Sequence, residues 1–153
     1  MSKKFIELPY KIFSLNNDNG EKMELILTDT FDYPDITSFW GGYDLCGILN
    51  LEVYNIKLQI KDFYFTTSDF YNFLDKLITC YENLSGKAEY KPTSPDSTST
   101  NICIDFNTDG SCFVACSYKD DTYDNNFDFH FGTNQSYINQ AINELKDFRR
   151  NIQ

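Results

Sequence analysis

Asp105-Phe106-Asn107-Thr108-Asp109-Gly110 spaces oxygen-bearing side chains as the first half of a calcium loop does. The pattern D-x-N-x-D-G sets hard donors at alternate positions before a tight glycine turn. The twelfth position is Cys116, where a bidentate Glu is required, and the flanks alternate like strands rather than helices. A β-turn uses Asn, Asp and Gly for their backbone tolerance and accounts for the same residues without a metal.

His130, the only histidine, lies between Phe129 and Phe131 on a period-two pattern, with Asp128 on its own side. A general base with an orienting acid needs such a pair, but two groups do not make a triad. Cys112 or Cys116 on a neighbouring strand would offer a Cys–His nucleophile, although nothing in the spacing selects one. The five cysteines, Cys46, Cys80, Cys103, Cys112 and Cys116, are odd in number and set in apolar patterns. They read as free thiols of a reducing compartment, which points to the cytoplasm. There is no P-loop, dinucleotide fingerprint or G-x-S-x-G elbow. No cofactor or metal is expected, and the chain does not read as an enzyme.

The remaining chemical feature is charge. Seven aspartates and one lysine lie between Ser94 and Asp128, so this stretch carries −6 of the chain's −10. Its densest part, from Lys119 to Asp128, includes Tyr123 and Phe127 and is preceded by Tyr118. With a pI near 4.4, direct nucleic-acid binding is not expected, because counterion release needs Lys and Arg. An acidic surface attracts basic proteins, and tyrosines supply area at an interface. Acidic loops also serve solubility, but self-repulsion among so many unbalanced carboxylates is a cost.

The elements that must position these groups follow from periodicity. With 41% hydrophobic and 17% aromatic residues, 153 residues suffice for one folded domain, 1–153. Met1 to Glu7 holds two lysines but no apolar run, so neither a signal peptide nor a membrane span is expected. Phe5 to Pro9 reads as a short edge strand, Asn16 to Gly20 as a turn, and Met23, Leu25 and Leu27 as one face of a strand. From Asp29 to Gly42 the aromatics have no period. Phe31, Tyr33, Phe39 and Trp40 are expected to anchor this long connection in the core. Leu49, Leu51 and Val53 alternate, then Ile56, Leu58 and Ile60 alternate in the opposite phase, which demands a bulge or a tight turn at Tyr54-Asn55.

Phe70, Phe73, Leu74, Leu77, Ile78 and Tyr81 form a helical stripe, opened by a Thr66…Asp69 capping box and closed near Gly86. A strand begins at Ala88, and Pro92 to Thr100 reads as an external loop. Ile102, Ile104 and Phe106 face one way, a hairpin turns at Asn107 to Gly110, and Cys112, Val114 and Cys116 answer them. Phe127, Phe129 and Phe131 mark another strand. A last helix runs through Tyr137, Ile138, Ala141, Ile142 and Leu145, capped by Asn134. The fold class is α+β, a largely antiparallel sheet with two amphipathic helices packed on one face. No internal repeat is visible.

Several of these pieces, in order, resemble the WapI-type bacterial immunity proteins, which neutralise polymorphic toxins. The resemblance runs from the strand Leu49-Asn50-Leu51-Glu52-Val53 through the helix entry Thr66-Thr67-Ser68-Asp69-Phe70 to the helix exit Tyr81 to Ala88. Phe127-Asp128-Phe129-His130-Phe131 is similar to the penultimate strand, and Thr133 to Ile138 to the start of the last helix. Two departures stand out: Ile48 replaces a frequent tryptophan, and Asn134 occupies a position that is usually acidic. The resemblance implies a noncatalytic inhibitor and supplies no interface residues.

Together these readings predict an immunity protein that binds a cognate toxin, a basic nuclease domain, through an acidic and aromatic surface. Asp120, Asp121, Asp124, Tyr118 and Tyr123 are the expected contacts, with Asp105 and Asp109 at its margin. Two other classes remain open: a small-ligand pocket near Trp40, Tyr43 and His130, and a structural subunit of a homo-oligomer.

Overall fold

The computed structural model describes residues 6–31, 33–93 and 98–152, with Thr98 placed by its backbone only. Four strands come first: β1 (Tyr10–Asn16), β2 (Lys22–Phe31), β3 (Asp44–Val53) and β4 (Ile56–Thr66). Helix α1 (Thr67–Asn83) leads to β5 (Gly86–Tyr90), β6 (Thr98–Phe106), β7 (Ser111–Asp120) and β8 (Asn125–Asn134), and α2 (Gln135–Ile152) follows. The strands form two antiparallel four-stranded meanders, β1-β2-β3-β4 and β5-β6-β7-β8. The fold is α+β, and its strands are shared between two sheets rather than held in one. Element order therefore repeats, four strands then a helix, although no residue pattern repeats with it.

The helices tie the two halves together reciprocally. Helix α1, which ends the first meander, packs against β5, the first strand of the second. Helix α2, which ends the second, packs against β1, the first strand of the first, and the helices touch each other. One continuous core results, containing Phe13, Leu25 and Phe63 from one sheet and Ile102, Val114 and Phe131 from the other. Phe70 on α1 is 1% exposed and its ring meets those of Phe13, Phe65 and Tyr90. Burying one such side chain contributes about 1.5–3 kcal/mol.

Turn chemistry sets the registers. At the β1–β2 turn, Asn17 Oδ1 accepts from the amides of Asn19 and Glu21, both at 3.0 Å. The phase change at Tyr54-Asn55 is a tight hairpin: Val53 pairs with Ile56, and Tyr54 takes φ 52°. The β3–β4 pair also carries a bulge farther along, between Gly47 and Leu49. A Cβ on Gly47 would lie 2.4 Å from the Ile26 carbonyl oxygen, so this close approach of backbones requires glycine.

Several local expectations need correction. The first strand starts at Tyr10, after Pro9, which has no N–H to give a ladder; Phe5 lies outside the described residues. The connection after β2 is shorter than expected, because pairing of Phe31 with Asp44 prolongs the strand. Thr66 does cap α1, its hydroxyl accepting from the Asp69 amide at 3.3 Å. The Asp69 carboxylate turns instead to Thr93, whose hydroxyl donates at 2.9 Å. The C-cap of α1 is Leu84 at φ 50°, whereas Gly86, also at positive φ (96°), opens β5. Residues 94–97 of the expected loop lie outside the described residues, and Thr98 to Thr100 extend β6 by pairing with Tyr118 to Asp120. At α2, Asn134 Oδ1 accepts from the Ser136 amide at 2.9 Å, as an N-cap should.

Candidate partner-binding surface

The second meander separates the acidic residues that the sequence clusters. Strand β7 runs ten residues from the Asn107–Gly110 turn to Asp120. At roughly 3.3 Å per residue its ends stand about 30 Å apart. Asp105 and Asp109 are at one end, and Asp120, Asp121, Asp124 and the two tyrosines are at the other.

Asp105 and Asp109 have structural partners. Asp105 faces Lys87 across the β5–β6 ladder, with Nζ and Oδ2 at 3.9 Å. Asp109 Oδ1 accepts from the Ser111 amide at 2.9 Å and the Ser111 hydroxyl at 2.6 Å. These bonds to Ser111, hydroxyl first, hold its carboxyl below the usual range. The D-x-N-x-D-G stretch is a hairpin turn between strands. Among the described residues, no group of three or more His, Cys, Asp or Glu side chains is arranged to hold a metal ion.

The other end is a projecting hairpin tip. Asp120 pairs with Asn125 to close it, and Asp120 Oδ1 accepts from the Thr122 amide at 2.8 Å. Asp124 adopts φ 55°, a left-handed conformation that Asp and Asn tolerate better than most residues. Lys119 Nζ lies 3.7 Å from Asp121 Oδ1, both side chains well exposed. Asp120 and Asp124 form no ion pair with any described residue. Tyr123 is 79% exposed, while Tyr118 is half-buried with its ring 6.2 Å from Phe127. The tip thus presents carboxylates beside rings, with one lysine among them.

His130 stacks on Phe113 at 5.3 Å on the outer face of the second sheet. Cys112 and Cys116 point into the core, so strand parity keeps both thiols away from the imidazole. Burial pushes the Cys116 thiol up to about 12 and the Cys112 thiol to about 11, the opposite of nucleophile activation. Trp40 and Tyr43 belong to the loop before β3 in the other half. Tyr43 packs edge-on against Tyr33 at 4.7 Å, and Trp40 against Phe39 at 5.0 Å. The three residues of the expected pocket therefore stand on different halves of the molecule.

The aromatics before β3 were expected inside, and most are outside. Tyr33 alone among the four is buried; Phe39 is 90% exposed, with Phe31 and Trp40 exposed as well. The Phe31 ring stacks on Tyr64 of β4 at 6.0 Å and 30°. Together with Asp44, Leu45, Phe65 and Thr66 they line a cleft of about 230 Å³. A signal for this surface exists in the sequence: Tyr64 has the opposite parity to Phe63 and Phe65. A second concavity, about 510 Å³, lies between α1 and β5 and includes Lys76, Lys87 and Lys91. Two of those lysines already pair, Lys91 with Glu89 at 3.0 Å and Lys87 with Asp105. No helix among the described residues is long and apolar enough to cross a membrane.

Comparison with known proteins gives one family match: the immunity protein WapI-like family model covers residues 14–152. No curated protein matches the sequence. Among solved structures, WHY1 from Arabidopsis thaliana is similar with a TM-score of 0.56 at 8% identity, covering 96% of this chain and 88% of that one. The plant transcriptional regulator PBF-2 has a TM-score of 0.54 at 7% identity, covering 97% and 84% respectively. WHY3 from Arabidopsis thaliana has 0.51 at 10% identity, covering 99% and 90%. At these identities the likeness concerns the fold alone.

Proposed function

Since the chain belongs to the immunity protein WapI-like family, we propose that it binds and neutralises a cognate bacterial toxin without catalysis of its own. The proposed target is a basic toxin domain, a nuclease that uses Lys and Arg to hold substrate phosphates. The observation carrying this reading is the β7–β8 tip, where three aspartates and Tyr123 project with only Lys119 to balance them. Carboxylates engage the toxin's cations, and the tyrosine gives a large contact at little entropic cost. Inhibition is occlusion: cations held by the tip are unavailable to phosphates. Free thiols at all five cysteines suit action in the reducing cytoplasm.

The test identifies the product of the adjacent gene and, where it is a toxin domain, pairs it with the purified chain. Asp120→Asn, Asp121→Asn and Asp124→Asn together remove three charges while keeping the turn acceptor and a residue that tolerates left-handed backbone. Association at low salt should slow by about tenfold, with a shallower salt dependence. Unchanged rate and salt slope would move the contact off this tip. Absence of any wild-type association at micromolar concentration would remove the reading itself.

A further inference from the structure

The Phe31–Tyr64 cleft has a chemistry that strand parity explains. Phe31 pairs with Asp44, and Tyr64 pairs with Cys46 two residues farther along β3, so all three side chains leave the same face of the first sheet. Asp29 also pairs with Cys46 and shares that face. Burial, then the charges of Asp62 and Asp29, raises the Cys46 thiol. Asp29, Asp44 and Asp62 are exposed, and none forms an ion pair with a described residue.

Two aromatic rings beside Asp44, a carboxylate with no ion pair to a described residue, suit a cation with an apolar stem. Guanidinium and ammonium groups lie favourably over aromatic faces, and a carboxylate supplies the charge partner. The cleft's 230 Å³ falls below the roughly 300–1,000 Å³ typical of small-molecule sites, and suits a single side chain. The loop that leads into Asp44 exposes Ile36, Phe39 and Trp40, residue types that a lone soluble surface rarely gathers.

We propose that the cleft between Phe31, Asp44 and Tyr64 receives one Lys or Arg side chain from a basic protein partner, with Phe39 and Trp40 covering the adjoining surface. This rests on the toxin-binding reading and adds to it a second contact, distant in sequence from the β7–β8 tip. The two contacts divide the work. The tip, projecting and polar, governs the approach, whereas the cleft, partly desolvated on binding, governs residence.

The experiment measures association and dissociation rates of the intact chain with the neighbouring toxin domain. Asp44→Asn alone, and Phe31→Ala with Tyr64→Ala, should each speed dissociation by about tenfold or more and leave low-salt association within about threefold. Asp44→Asn is an exposed, isosteric change, so it serves as the test should the double alanine variant fold poorly. Unchanged dissociation in Asp44→Asn and in a folded double variant overturns the cleft while leaving the tip reading intact. Failure of the wild-type pair to associate overturns both. A wild-type dimer that Tyr64→Ala dissociates in sedimentation would make a second copy the occupant and overturn the proposal.

Discussion

Glu144 on α2 accepts, through Oε1, hydrogen bonds from both the amide and the hydroxyl of Ser14, 130 residues earlier, each at 3.0 Å. Its other oxygen lies 2.9 Å from Lys11 Nζ. Ser14 is 4% exposed on the edge strand β1, so its outward amide needs a partner from within the protein. The carboxylate supplies one and fastens the last helix over that edge.

Glu144→Ala should therefore destabilise the fold by about 1–3 kcal/mol, and Glu144→Gln by less, since an amide oxygen still accepts. Chemical denaturation at neutral pH measures the difference; equal losses would place the effect in charge rather than in the Ser14 amide. Lys11 titrates above its ordinary value, first because of its hydrogen bond to Glu144. A raised lysine stabilises fully below the unfolded value and loses that contribution as pH rises through the folded one, so part of the tie weakens only in alkali.

Tyr90 presents the reverse case. Its hydroxyl is buried with no hydrogen-bond partner among the described residues, while its ring stacks on Phe70 at 4.5 Å. Burial, then the Asp69 charge, pushes the phenol far above its ordinary value. Tyr90→Phe keeps the stacking and removes an unpaired donor, so stability should rise by an amount on the order of 1 kcal/mol. A loss of that size in urea denaturation would mean that the hydroxyl is satisfied.

The cysteines predict a response to pH. An unfolded thiol titrates near 8.5, whereas Cys116 stays protonated to about 12. Between those values the unfolded chain binds fewer protons than the folded one, so stability falls as pH rises, by about 1.4 kcal/mol per unit for this thiol once the unfolded form is ionised. Cys116→Ala should flatten that decline between pH 9 and pH 11 (about two units of the window), despite its own packing cost. With an alkylating reagent at pH 8, half-buried Cys103 should react first, and buried Cys46, Cys80, Cys112 and Cys116 only on unfolding.

Local pattern carried much of the fold. Alternation of Ile102, Ile104 and Phe106 against Cys112, Val114 and Cys116 is a cross-strand statement once Asn107 to Gly110 makes the turn, and those six residues are buried together. The stripe from Phe70 to Leu77 is likewise local, because a period near 3.6 selects one helix face whatever it packs against. Asn-rich turns and the Thr66 cap were readable for the same reason.

What only the tertiary structure decided is where those pieces meet. Two sheets and one sheet share the same strand patterns, because period two states that a face is buried and not what buries it. Aromatic residues without a period, such as Phe39 and Trp40, carry no inward or outward mark, and only the placement of their loop exposed them. The acidic run shows the same limit. Charge density is a property of sequence, but a ten-residue strand set Asp109 and Asp121 at opposite ends of a sheet. Pairing across strands brought Asp44 instead to Phe31, a neighbour that linear spacing does not reveal.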